Sequence, residues 1–289
     1  MANPQYDAIG ATYTMMKQLP TARIESSNLH AAVAPHVGGA RVLDLACGTG
    51  YYSRLLLDWG ATSVVGIDLS AAMIAAAEHE AAQSLDPSVR SRLRFQVGDA
   101  ATLGRLEDTD SGAGFNLVVG AWLLNYARDE DELAGMFATI SANLNGPGAI
   151  FAGITPPPVA CKDLDAFAAR INDETLEQRR RRLIRVSQRY YERMTSENGD
   201  TPNGWRVEVA ALDAQGKPAV VFRNYHLPIE VYERAARRGG MHGTIQWKEI
   251  TLQDSIREQA IREFGQEFWR EYFDDLGPHF GLLVVAKGN

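Results

Sequence analysis

Short apolar runs alternate with stretches of helical length through the first half of the chain. Residues 42–45, 63–67, 93–97, 115–120 and 149–154 are runs of strand length, the first and last almost wholly apolar, as buried parallel strands are. Between them, residues 51–59 place Leu55 and Leu56 on one face, and residues 71–83 carry Met73 and Ile74 early behind Ser70, a residue suited to a helix N-cap. Residues 130–144 repeat Leu133, Met136, Phe137 and Ile140 at helical spacing and end at Asn145-Gly146-Pro147-Gly148, a tight-turn signal. Residues 103–114 are polar and glycine-bearing, a surface loop. Strands that alternate with helices predict a parallel sheet covered by helices.

The second half changes character. Thr155-Pro156-Pro157-Pro158 is a rigid break, because proline fixes φ and removes a donor. Residues 163–197 read as helix: Leu176, Leu183, Val186 and Tyr190 form an apolar stripe, and Arg179 to Arg182, Arg185, Arg189 and Arg193 lie beside it. Residues 205–212 and 219–226 alternate as strands, joined by a hairpin loop at 213–217. A helix over 228–238 opens on proline and stops at Gly239-Gly240. A strand at 244–252, a helix at 255–273 and a final strand at 280–286 complete the prediction.

With 289 residues, 45% of them hydrophobic, the chain can bury one large α/β core with a substantial insertion. A net charge of −7 argues against nucleic acid as a partner, since phosphate binding needs a basic surface. No apolar run is long enough to span a bilayer, and residues 1–17 lack the basic start and apolar block of a signal peptide. Two cysteines, Cys47 and Cys161, imply neither a disulfide framework nor a metal cluster. No histidine–carboxylate spacing predicts a metal site. A cytoplasmic protein with reduced thiols is expected.

Chemistry concentrates where the first strand ends. Val42-Leu43-Asp44-Leu45 runs into Ala46-Cys47-Gly48-Thr49-Gly50, a helix follows, and the second strand ends in Asp68. Glycines allow a tight turn and close approach of backbone to a ligand. Asp68 lies 24 residues beyond Asp44, near the spacing of about 20 expected of an acid that accepts from ribose hydroxyls. The loop departs from G-x-G-x-x-G by placing a carboxylate, Asp44, at the strand end. A carboxylate suits a positively charged ligand better than a pyrophosphate, and the sulfonium and ammonium of S-adenosylmethionine are such groups.

The run VLDLACGTG resembles motif I of the class I S-adenosylmethionine-dependent methyltransferases, with Ala46 in place of a frequent glycine. The resemblance is strongest over residues 41–154. It implies a Rossmann-like α/β sheet, mostly parallel with an antiparallel last strand, carrying an N-terminal helical lid and an inserted helix plus β-hairpin. The chain then divides into a lid (1–40), a cofactor core (41–154), a substrate-side insertion (155–227) and a part completing the sheet (228–289). Carried onto this sequence, the family pattern makes Asp44, Ala46, Gly48, Gly50 and Asp68 donor-binding. Leu69 and Met73 lie near adenine and ribose, with core filling the alternative for Met73. In Gly98-Asp99-Ala100, Asp99 accepts from the adenine amino group or else caps the following turn. From the lid, Tyr13 covers the methionyl end and Arg23 holds the cofactor carboxylate, unless both belong to an amphipathic helix packed on the core.

Ligands of open α/β sheets bind at the carboxyl ends of strands. Ala121 and the pocket-wall residues Trp122, Asn125 and Tyr126 follow the fourth strand. This segment lacks the N/D-P-P-Y signature of enzymes that methylate exocyclic or amide nitrogen. Tyr225 and His226 end the predicted hairpin beside the cleft mouth. If the acceptor must lose a proton, His226 and His30 are the leading bases and His279 the third; each also reads as a structural histidine. The segments N-Y-H-L-P-I-E-V-Y-E-R-A and G-x-E-F-W-x-x-Y-F are similar to the tail of small-molecule methyltransferases grouped with the toxoflavin-pathway enzyme. The expected reaction is methyl transfer from S-adenosylmethionine to O, N or S of a small molecule in specialised metabolism, leaving S-adenosylhomocysteine. An RNA or protein methyltransferase, or a binding protein that kept the fold, are the alternatives. The arginine-rich segment is a lid, a cap or a homodimer contact.

Overall fold

A computed structural model of the chain describes residue 17 and residues 20–106, 114–175, 186–195, 202–213, 216–275 and 277–289. Helix α1 (Pro20–Val37) leads into β1 (Arg41–Leu45), α2 (Tyr51–Asp58), β2 (Ser63–Asp68), α3 (Ala71–Ser84) and β3 (Leu93–Val97). Then come β4 (Leu117–Val119), α4 (Glu130–Asn143), β5 (Ile150–Thr155) and α5 (Leu164–Asn172). A three-stranded unit, β6 (Val186–Thr195), β7 (Pro202–Leu212) and β8 (Pro218–His226), is followed by α6 (Ile229–Arg238) and β9 (Ile245–Lys248). The chain closes with α7 (Asp254–Phe264), α8 (Gln266–Arg270) and β10 (Gly281–Ala286).

The main sheet has seven strands in the order β3-β2-β1-β4-β5-β10-β9. β1 pairs in parallel with β2 and β4, while β10 runs antiparallel to both β5 and β9. Strand order therefore reverses between β1 and β4, and the carboxyl ends of both strands open onto one crevice. The period of two along β1 divides its side chains between layers: Val42 packs with α1 and α2, whereas Leu43 and Leu45 pack with α4 and α6. All of β5 is buried, which explains its uninterrupted apolar sequence.

Three segments depart from the sequence reading. Residues 163–197 are not one helix: α5 ends at Asn172, residues 176–185 lie outside the described residues, and 186–195 form β6. Tyr190 is buried against Val207, Val209 and Phe222 in a small antiparallel core, and a register shift follows it. Val186 and Tyr190 are four apart, a spacing that satisfies helix and strand alike, so pairing with β7 decides. Arg189 and Arg193 thus lie on a strand, while Arg179 to Arg182 and Arg185 are outside the described residues. Residues 255–273 are likewise broken, at Gly265, whose φ of 81° and ψ of 157° no helix accommodates. The strand expected at 244–252 is confined to Ile245–Lys248.

The described part of the leader is no cover over the crevice. Ile24, Leu29, Val33 and Val37 of α1 are buried in the core shared with β5 and β10. Among the described residues no helix is long and apolar enough to cross a membrane.

Candidate active site

The loop after β1 is shaped by three left-handed residues, Ala46 (φ 58°), Gly48 (φ 55°) and Gly50 (φ 73°). At Ala46 this geometry costs about 1 kcal/mol relative to glycine, which accounts for the glycine more usual in the resembling motif. A Cβ on Gly50 would lie 2.7 Å from the Phe95 ring. Cys47 N–H donates to the Ile67 carbonyl (3.0 Å) and Gly50 N–H to the Cys47 carbonyl (2.9 Å), so the loop folds back over the end of β2. There Asp68 accepts from Gly48 N–H (2.8 Å, Oδ2) and Ser70 N–H (2.9 Å, Oδ1). Ser70 Oγ in turn accepts from Met73 N–H and caps α3.

These groups border an open-mouthed cleft with about 770 Å³ of empty space, open solvent included. One side is built from Ala46, Gly48, Asp68, Leu69, Ser70 and Met73, and the next from Gly98, Asp99 and Ala100. Opposite stand Ala121, Trp122, Leu123 and Tyr126, with Met136 of α4. The Asp99 Oδ1 accepts from Ala101 N–H (2.9 Å), so the carboxylate caps its turn while facing the cleft.

Of the residues expected at the donor site, Ala46, Gly48, Asp68, Leu69, Met73, Gly98, Asp99, Ala100 and Ala121 meet in this cleft, and Trp122 and Tyr126 join them. Gly50 shapes the loop from behind rather than lining the cleft. Tyr13 lies outside the described residues. Six placements correct the sequence expectation: those of Asp44, Arg23, His30, His226, Tyr225 and Asn125. Asp44 is buried beneath the loop, where Ser53 Oγ donates to it (2.5 Å). Burial pushes its carboxyl up to about 7, with the charge of Asp68 adding to the rise. Arg23 is held at the surface by Glu263 (2.6 Å). His30 stacks on Trp59 with centroids 4.7 Å apart, away from the cleft.

His226 is buried in the small sheet: its Nδ1 meets the Tyr190 hydroxyl (2.8 Å) and its Nε2 the Pro157 carbonyl (2.9 Å). Burial pulls this imidazole down to about 4, so it is neutral near pH 7. The neutral ring donates from Nε2 to Pro157 and accepts at Nδ1. Both nitrogens are engaged and neither reaches the cleft. Tyr225 on β8 is partly exposed opposite Arg206 and does not line the cleft. Asn125 is buried behind the cleft wall, and neither amide atom finds a hydrogen-bond partner among the described residues.

Sequence reasoning did not select Leu123, Met136 or Ser70 as site residues. Met136 sat in a helical stripe that reads as core, and Ser70 read only as a cap. Nor did it select Glu25, which is buried beside Trp122 and bonds its indole Nε1–H (3.2 Å). Among the described residues no group of three or more His, Cys, Asp or Glu could hold a metal ion.

A glycine loop, an acid at the tip of the second strand and a third corner at Gly98-Asp99, set at the switch point of the β3-β2-β1-β4-β5-β10-β9 sheet, define a class I methyltransferase fold. Residues 42–148 match the family described as a methyltransferase domain. A solved S-adenosylmethionine-dependent methyltransferase from Mesorhizobium loti is similar over 91% of this chain and 97% of its own, at 22% identity and TM-score 0.51. The glycopeptide N-methyltransferase MtfA is similar over 93% and 90%, at 19% identity and TM-score 0.53. Curated relatives match only locally: 43% identity over 49 residues to an uncharacterized Haemophilus influenzae protein, and 55% over 40 residues to the tRNA U34 carboxymethyltransferase of Stutzerimonas stutzeri. The matched stretches span 19% and 12% of those relatives. Residues 42–148 thus carry a methyltransferase domain, and the chain shares the fold of these S-adenosylmethionine-dependent methyltransferases.

Proposed function

We propose that the whole chain is a small-molecule methyltransferase that moves the methyl group of S-adenosylmethionine to O, N or S of its acceptor, in specialised metabolism. The observation that carries this reading is the two-sided cleft: polar and small residues around Asp68 on one side, aromatic residues Trp122 and Tyr126 on the other. When bound, S-adenosylmethionine supplies an electrophilic methyl whose S–C electron pair stays with sulfur. Asp68 is oriented by two backbone amides and stands on the cleft wall, where ribose hydroxyls would donate to it. Gly48 and Ala46 bring backbone close to the donor, and Asp99 presents an acceptor to the adenine amino group. Leu69 and Met73 supply the apolar seat.

No general base is required if the acceptor is already a nucleophile. Among the described residues no histidine lines the cleft, and burial pushes the Tyr126 hydroxyl well above its usual range. An amine or carboxylate acceptor suits such walls, and alignment alone supplies several kcal/mol. MtfA methylates nitrogen of a glycopeptide, as its name states; a nitrogen acceptor is consistent with that neighbour.

The test is to incubate the protein with methyl-labelled S-adenosylmethionine and, separately, small metabolites, RNA and protein from the host. Label in a small metabolite, lost in Asp68→Ala, is the expected result. Label confined to RNA or protein would overturn the acceptor class, and binding without any transfer would favour a binding protein.

A further inference from the structure

Glu25 of α1 is 6% exposed, yet it lies at a junction of four chain segments. Its Oε2 accepts from Lys17 Nζ (3.3 Å), the Tyr52 hydroxyl of α2 (3.1 Å) and Trp122 Nε1–H (3.2 Å). Its Oε1 accepts from His279 Nε2 (2.9 Å), and His279 Nδ1 is bonded to the buried Tyr272 hydroxyl (2.7 Å). A buried carboxylate is costly unless its lone pairs are satisfied. Burial alone would raise the Glu25 carboxyl, but Lys17 and the bonds from His279 and Trp122 overcome it and hold it at about 2. This cluster lies outside the donor-binding residues described above and touches the cleft through one side chain, Trp122.

Trp122 itself is strained. Its φ of 65° places a bulky aromatic in the left-handed region, at a cost of about 1–3 kcal/mol unless the surroundings over-determine it. Its N–H donates to the Ile154 carbonyl (2.9 Å), His279 lies parallel to the indole at 6.2 Å, and Glu25 takes the indole N–H. The strained turn sets the direction in which Ala121, Trp122 and Leu123 enter the cleft.

We propose that Glu25 is a positioning residue: its buried carboxylate fixes the Trp122 indole and thereby the cleft wall that follows β4. The inference rests on the cleft being the S-adenosylmethionine site. Glu25 touches no reacting atom, and its distance in sequence from the glycine loop hides the role. His279 is end-stopped between Glu25 and Tyr272, so it orients rather than carries protons to the cleft.

The experiment is a calorimetric titration of S-adenosylmethionine into wild type, Glu25→Gln, Trp122→Phe and the double variant. Glutamine turns an amide N–H₂ against donors, whereas phenylalanine keeps an aromatic ring without the N–H. Each single change is expected to weaken binding about tenfold, and the double variant to bind no more weakly than Glu25→Gln. Tyr52→Phe removes a different bond to Glu25; it should lower Tm and leave affinity within about twofold. Unchanged affinity in both singles, or additive losses in the double variant, overturns the proposal. Should Glu25→Gln fail to fold by circular dichroism, Trp122→Phe alone decides, and unchanged affinity there overturns it. Failure of wild type to bind the donor removes the site reading itself, a result distinct from binding that ignores both variants.

Discussion

Asp68 and Asp44 are both acids at strand ends, yet burial gives them opposite roles. Asp68 faces the cleft with backbone donors on both oxygens. Asp44 is sealed under the loop with Ser53 as its partner. Its carboxyl is raised from 3.8 to about 7, so between those pH values the folded protein binds more protons than the unfolded chain. Stability from this group is present in acid and lost as pH rises through about 7. Asp44→Asn should therefore be more stable than wild type at pH 8, with the gap closing by pH 4, as urea unfolding at the two pH values would report. The sequence shows both acids and their spacing; it does not show that only one of them reaches the cleft, because strand-end residues alternate between the sheet's surfaces and its interior. His226 fails as a base for a similar reason. Its place in the hairpin was legible, but the Tyr190 and Pro157 partners that bury it come from segments 36 and 69 residues away.

Elements of the first half are legible because each has one dominant period. β1, β2 and β5 are apolar runs bounded by turn residues, and Asp129 caps α4 through bonds to Asp131 N–H and Glu132 N–H. The second half is ambiguous where periods coincide. Val186 and Tyr190 fit a helix as well as β6, and arginine favours the helix. The break at Gly265 is an isolated glycine in an otherwise helical pattern. Its backbone conformation is essentially confined to glycine, so Gly265→Ala should destabilise by about 1–3 kcal/mol. Guanidinium unfolding checks this, and an unchanged midpoint would contradict it.

At the scale of the whole molecule, two buried groups pull the pH profile in opposite directions. His226 falls from 6.5 to about 4 on folding, so its stability is present above pH 6.5 and lost as pH falls towards 4, by about 3 kcal/mol in total. Asp44 loses stability upward through the same window, so the two contributions oppose each other there. His226→Gln removes the histidine contribution. It should flatten the acid side of the profile without changing donor affinity, measured by urea unfolding from pH 4 to 7 and by titration of S-adenosylmethionine. The architecture and most of the cleft lining were legible because strand, loop, helix, strand and acid are contiguous in sequence. The far wall was less so: Glu25, Trp122 and His279 converge from the first helix, the fourth strand and the approach to the tenth.

The most direct test is calorimetric titration of S-adenosylmethionine into wild type and Asp68→Ala. The account predicts one binding site per chain in wild type. It predicts affinity reduced about 10- to 100-fold in Asp68→Ala, the loss of a charged hydrogen-bond acceptor. No binding by wild type, or equal binding by both proteins, would contradict it.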